Sequence, residues 1–214
     1  MKRYADELAT NAGDLATRIE ALPKTGARRR LAAIAGPPGS GKSTLAEAVV
    51  AELKARGNGA TLLAMDGFHI DNAILVPTGW RPRKGAPETF DFGGFKSAVE
   101  RARTEPVVYL PRFDRTQDFA HAAATMIGPE TDIIVAEGNY LLLDEDPWRD
   151  LAALWDDRIF LDVAFDELER RLTRRWLRHG FDREGAEAKA LGNDIPNARR
   201  VTDAVVAPDL TLKQ

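Results

Sequence analysis

Apolar residues recur at two periods in this chain, and the switching between them outlines an architecture. From residue 4 to 22, Leu8, Ala12, Leu15, Ile19 and Leu22 fall three or four apart. That spacing predicts an amphipathic helix, ended by Pro23-Lys24-Thr25-Gly26. Leu31-Ala32-Ala33-Ile34-Ala35 is then a short unbroken apolar run, the signature of a strand buried on both faces. A helical pattern follows from Thr44 to about Arg56 and stops at Gly57-Asn58-Gly59. Further strand-like runs cover 61–65, 106–110, 133–136 and 158–163, with 204–206 and 210–212 as candidates to close the sheet. Helical patterns cover 94–104, 166–179, 184–191 and 197–203. Arg28-Arg29-Arg30 reads as solvated charge ahead of the first strand. Strands alternating with helices predict a three-layer α/β/α unit over residues 1–214, with a mostly parallel sheet covered on both faces. Ligands in such folds bind beyond the carboxyl ends of the strands.

Composition narrows the chemistry. Hydrophobic residues make up 44% of 214 positions, enough for a sizeable core. A net charge of −3 argues against a broad nucleic-acid footprint, which needs a basic face. With no cysteine, disulfides, thiolate metal sites and cysteine nucleophiles are excluded, and three histidines do not favour a multi-histidine metal centre. No apolar run reaches the ~18 residues of a membrane span, and the first seven residues lack an apolar signal core. A cytoplasmic protein without membrane insertion is expected.

The stretch between the first strand and its helix carries the sharpest chemical signal. Gly36-Pro37-Pro38-Gly39-Ser40-Gly41-Lys42-Ser43, followed by Thr44, fits the phosphate-binding template G-x-x-x-x-G-K-[ST] without a mismatch. Its glycines allow a tight turn whose N–H groups face phosphate oxygens, and the helix aims its positive end at the same charge. Lys42 can reach the β- and γ-phosphates of a nucleoside triphosphate, and the Ser43 hydroxyl can ligate Mg²⁺. The bland alternative is an ordinary Gly/Pro turn before a helix.

Two further strand-like runs end in a carboxylate, at Asp66 and Glu137. Beside a phosphate loop, one can hold Mg²⁺ and the other can accept a proton from an acceptor hydroxyl. Each could instead merely end a strand. Arg171, Arg174, Arg175 and Arg178 share one helix face, and Arg183 follows. Stacked like charges are unfavourable unless an anion sits there, which predicts an arginine-rich lid over about 170–192 closing on the transferred phosphate. Pairing with Asp166, Glu167 and Glu169 is the competing reading. Residues 67–93 are rich in Gly and Pro, and a connection this long is usually functional. Within it, His69 can orient an acceptor hydroxyl or simply pack. Asp91-Phe92-Gly93-Gly94 mimics kinase and GTPase signatures, but their companion motifs are missing. Trp80, Trp148, Trp155 and Trp176 read as packing residues rather than base platforms.

In order, residues 36–44, Asp66-Gly67-Phe68-His69, Pro87-Glu88-Thr89-Phe90-Asp91, Glu137-Gly138-Asn139-Tyr140 and the arginine helix resemble the uridine kinase, phosphoribulokinase and bacterial pantothenate kinase superfamily. The likeness spans residues 31 to about 206 and is closest to fructose-transport-system, fructokinase-like kinases. It implies a P-loop NTPase fold using ATP and Mg²⁺. By that resemblance Asp66 faces the acceptor hydroxyl, Asp91 touches the acceptor, Glu137 lies near Mg²⁺, and Arg175, Arg178 and Arg183 are lid arginines. The 193–197 segment, with Asn197, falls where such kinases approach adenine. Uridine kinases carry Asp-Ser-Phe-Tyr at positions 66–69, and their Tyr-Asp-Phe loop is here Arg112-Phe113-Asp114-Arg115. Arg112 and Arg115 therefore suit an anionic or polyhydroxyl acceptor better than uracil.

The expected activity is transfer of the ATP γ-phosphate to a hydroxyl of a sugar such as fructose, a nucleoside or a pantothenate-like compound. Its partner is that small molecule, and homodimer formation is compatible with the chain. The rival class is a nucleotide-dependent switch, an accessory ATPase of a sugar transporter, or a metallochaperone-type P-loop protein. An enclosed acceptor pocket discriminates the first class from the second.

Overall fold

A computed structural model describes residues 2–214, with side chains from Asp6 onward. In chain order its elements are α1 (Lys2–Glu20), β1 (Arg30–Ala35), α2 (Lys42–Ala55), β2 (Ala60–Ala64), α3 (Asn72–Leu75), α4 (Phe92–Thr104), β3 (Val108–Asp114), β4 (Phe119–Ile127), β5 (Ile133–Gly138), β6 (Asp157–Asp162), α5 (Phe165–Arg178), α6 (Arg183–Lys189), α7 (Ile195–Asp203) and β7 (Leu210–Lys213). Five strands form one sheet in the order β2-β5-β1-β6-β7, and every neighbouring pair is parallel.

The sheet is buried on both faces, so its central strands are apolar throughout yet still alternate. Leu31, Ala33 and Ala35 of β1 join Ile134 and Ala136 of β5 in a core shared with α4, Tyr140 and Trp148. Ala32 and Ile34 join Ile133 and Val135 in the opposite core, closed by Ala12, Leu15 and Ile19 of α1 and Leu45, Val49 and Leu53 of α2. A period of two within an unbroken apolar run is how one strand feeds two cores. A third cluster, built on Leu168, Leu172, Ile195 and Ala198, holds α5 against α7. Among the described residues no helix is long and apolar enough to cross a membrane.

The structure corrects several expectations. The strand expected at 106–110 runs on through Arg112 and Phe113 to Asp114 and pairs antiparallel with β4 in a separate hairpin. Residues 111–115 are therefore mostly strand rather than loop. Strand β4 went unforeseen because Ala-rich Phe119–Ile127 has weak strand propensity, and its pairing with β3 supplies what propensity does not. Of the two candidate C-terminal strands, only the second closes the sheet; Val205 makes a lone bridge to Leu143. The 67–93 connection contains short helical turns at Asn72–Leu75, Arg81–Arg83 and Pro87–Thr89. Arg29 is not solvated: it is buried at 2% exposure. Trp148 and Trp155 pack in the core, whereas Trp80 is exposed and Trp176 lines a cavity.

Candidate active site

Register brings the chemistry together. β2, β5 and β1 are adjacent, and Ala64 and Ile34 both sit level with Glu137. Whatever follows each strand therefore emerges at one edge of the sheet: the phosphate loop after β1, Asp66 after β2, and Glu137 at the end of β5. In the loop, Gly39 and Gly41 hold φ of +82° and +88°, a region that disfavours any side chain. Gly41 is the N-cap of α2, and no side chain caps that helix. Its first N–H groups are thus left to an external acceptor, the usual arrangement for phosphate. The buried Ser40 hydroxyl has no partner.

Lys42 follows directly. Burial pushes its ammonium pKa down, while Glu137 and Asp66 pull it back up. The Ser43 hydroxyl donates to Glu137 Oε2 at 2.9 Å. Burial pushes the Glu137 carboxyl up; Lys42 opposes this and Asp66 adds to it. Asp66 goes the other way. Burial would raise it, but Arg115, His69, Lys42 and Arg175 together hold it below the usual carboxylate range. Arg115 Nη2 donates to Asp66 Oδ2 at 2.6 Å, and His69 Nε2 lies 4.0 Å from Asp66 Oδ1. Two neighbouring carboxyls are thus driven apart, the pattern that separates a base from a group with another task.

Lys42, Ser43, Asp66, His69, Arg115 and Arg175 line a cavity of about 1140 Å³, whereas Glu137 is buried and reaches it only through its hydrogen bond with Ser43. Pro38, Gly39, Gly41, Lys42, Ser43 and Thr44 line one end. Asp66, His69, Lys84, Phe90, Phe113 and Arg115 line the other. His69 stacks on Phe90 with centroids 4.0 Å apart and leans on Phe113 at 4.7 Å. Burial in that aromatic slot brings its pKa down to about 4, so the ring is neutral at physiological pH. The α5 arginines cover the phosphate end. Arg170 and Arg171 pair with Glu167, as the bland reading expected. Arg174, Arg175 and Arg178 line the cavity and have no carboxylate partner among the described residues. Asn197 also lines it, 2% exposed with an unpartnered Oδ1.

Three expected site residues lie elsewhere. Asp91 accepts from Gly94 N at 2.8 Å and caps α4 outside the cavity. Arg112 precedes Phe113 on β3, and successive strand residues point to opposite faces. Phe113 faces the cavity, so Arg112 lines a separate groove of about 320 Å³ with Lys54 and Thr61. Arg183 is 87% exposed and pairs with Glu187. Conversely, Lys84 and Asp118 line the cavity with Asp66 without having been singled out. Lys84 Nζ reaches Asn72 Oδ1, Asp118 O and Asp118 Oδ1, and Asn193 Nδ2 donates to the Lys84 carbonyl. The only hint for Lys84 was its Gly/Pro-rich setting, and Asp118 had none.

Residues 31–202 match the Phosphoribulokinase / Uridine kinase family. A solved structure from Silicibacter sp. TM1040, titled "putative fructose transport system kinase", is 46% identical, with a TM-score of 0.90 over 94% of this chain and 98% of that one. "Uncharacterized protein YggC" of Escherichia coli K12 is 36% identical over 81% of this chain and 73% of its own length. "Putative uridine kinase C227.14" of Schizosaccharomyces pombe is 34% identical over 87% of this chain and 84% of its own. With the phosphate loop, the parallel sheet and the arginine helix in place, the chain belongs to the phosphoribulokinase/uridine kinase family and is an ATP-dependent P-loop kinase.

Proposed function

We propose that this kinase phosphorylates a hydroxyl of a small polyhydroxyl acceptor of the sugar class, with Asp66 as general base. One observation carries the reading. Asp66 and Lys42 come from different strands yet line one cavity, and Asp66 is held ionised there. The acceptor hydroxyl gives its proton to Asp66, and its oxygen forms the new bond to the γ-phosphorus. The bond from that phosphorus to the β–γ bridging oxygen breaks, and ADP leaves. Lys42, Arg175 and Arg178 answer the charge that spreads over the transferred group. The aromatic slot of Phe90, His69 and Phe113 supplies one wall for the acceptor. Fructose enters as a candidate through the description of the 46%-identical relative.

The donor set at Ser43 and Glu137 is a hydroxyl and a carboxylate, hard oxygens that suit Mg²⁺. Among the described residues no group of three or more His, Cys, Asp or Glu could hold a metal, so Ser43 and Glu137 are the protein groups that would hold the ion. When bound, Mg²⁺ neutralises charge on the phosphates.

ADP release across a panel of sugars, nucleosides and pantothenate tests the reading. Stimulation by one compound is expected. Asp66→Asn should lower kcat on that compound by ~10²–10⁴, the usual share of general-base catalysis. Near-wild-type turnover by Asp66→Asn would remove Asp66 from the mechanism.

A further inference from the structure

Between α6 and α7 the chain winds one π-helical turn, Ala190–Asp194, in which Ile195 N–H reaches back to Ala190 O. Such turns are rare and recur at functional sites. Here two consecutive side chains of the turn hold different walls of the cavity. Asp194 Oδ2 accepts from the Trp176 indole N–H at 2.7 Å. Trp176 follows Arg175 on α5, and the Arg175 guanidinium lies 5.8 Å from the centre of that indole. Asn193 Nδ2 donates to the Lys84 carbonyl at 3.0 Å. Lys84 opens a turn that leads into the aromatic slot. Gly85 N–H donates to Thr89 Oγ1 and Ile70 N–H to Thr89 O, both at 2.9 Å, and the Phe90 ring stacks on His69. Arg200 of α7 pairs separately with Glu88, which gives the turn a second anchor.

We propose that Asn193 and Asp194 are positioning residues that couple the arginine helix to the aromatic slot, so that nucleotide bound under α5 orders residues 84–90. The inference rests on the reading that the α5 arginines serve the transferred phosphate and the aromatic slot serves the acceptor. Phosphate charge draws Arg175 and Arg178 toward it. Trp176 moves with Arg175, because the two are consecutive on one helix. Its bond to Asp194 passes the shift to the π-helical turn, and Asn193 passes it on to Lys84. Both bonds are partly buried, so neither is freely exchanged for a bond to water. The coupling is reciprocal. An acceptor that orders the same residues raises nucleotide affinity by the factor by which nucleotide raises its own.

Hydrogen exchange with AMP-PNP and Mg²⁺ as the probe tests this without an acceptor. In the wild type the nucleotide should slow exchange in residues 36–44 and also in residues 84–91, the latter by about 2- to 10-fold, the worth of one hydrogen bond. Asn193→Ala and Trp176→Phe cut the path at opposite ends. Each should keep the slowing at 36–44, bind AMP-PNP no more weakly than the wild type, and lose the slowing at 84–91. Asp194→Asn retains an oxygen for the indole N–H and should retain the effect. Slowing at 84–91 that survives in Asn193→Ala or Trp176→Phe overturns the proposal, as does its absence in the wild type. So does weaker AMP-PNP binding by Asn193→Ala, which would make that residue a structural prop of the nucleotide site. On a compound that the ADP-release panel identifies, Asn193→Ala should raise the acceptor KM, and an unchanged KM overturns the proposal too. If no compound turns over while the exchange pattern holds, the acceptor reading fails and the coupling stands.

Discussion

Replacing Arg29 by lysine keeps the charge and most of the length, yet the structure predicts a large loss of stability. Arg29 is 2% exposed and forms no salt bridge among the described residues. Its five N–H groups all go to backbone carbonyls. Nε donates to Thr131 at 3.0 Å, Nη1 to Ala102 at 2.8 Å and Glu105 at 2.6 Å, and Nη2 to Pro106 at 2.9 Å and Gly128 at 2.8 Å. The side chain thereby ties the C-terminal end of α4 to the turn that leads into β5. Lysine has three donors on one nitrogen and cannot copy a planar fork. At least two carbonyls lose their partner. An orphaned buried group costs ~1–3 kcal/mol, and two of these five carbonyls are only part-buried and can find water. The net loss is about 2–4 kcal/mol, which for a chain of this size is a fall in Tm of about 4–16 °C. Arg29→Met orphans all five and is expected to yield no soluble folded protein. Circular dichroism or calorimetric melting of Arg29→Lys measures the effect. A Tm within about 2 °C of wild type would refute the argument. Since none of the five carbonyls lies in the cavity, kcat measured well below Tm should stay near wild type.

Two further outcomes follow from the site. His69 titrates near pH 4 in the folded protein against an ordinary value of 6.5, because burial disfavours its charged form more than Asp66 favours it. The folded state therefore binds fewer protons than the unfolded one, and this group's contribution is intact above pH 6.5 and lost as pH falls toward 4. Its size is about 3 kcal/mol, and melting from pH 7 to 4.5 should show the decline in wild type but less of it in His69→Gln. Gly67 stands at a close backbone approach, where a Cβ would lie 2.5 Å from the Pro111 carbonyl oxygen. Gly67→Ala should push the hairpin off the Asp66 turn and lower kcat/KM for the acceptor by ~10-fold or more, with ATP KM unchanged. Equal effects on both substrates would mean that the hairpin does not serve the acceptor end.

The readable part of this protein is the part encoded by contiguous residues. Gly36 to Ser43 was legible because consecutive backbone N–H groups make a phosphate cradle without help from afar. Asp66 and Glu137 were legible for a related reason: parallel strands end at one edge, so a carboxylate after each apolar run must share that edge. What stayed hidden depends on phase and pairing. Arg112 and Arg115 looked equivalent in sequence, yet β3 continues through Arg112, turning it into a separate groove, while Arg115 lies past the strand end against Asp66. Asp91 resembled an acceptor contact but caps α4 instead. Lys84 and Asp118 meet only because the hairpin folds over the 67–93 connection, 34 positions away. Arg29 read as solvated because its carbonyl partners lie 73 to 102 positions further on. Local sequence by itself determined the phosphate cradle and the strand-end carboxylates, since hydrogen bonding and periodicity act over a few residues. Tertiary structure alone decided which arginine lines the cavity and which is core, because side-chain direction and burial are set by strand phase and by partners distant in the chain.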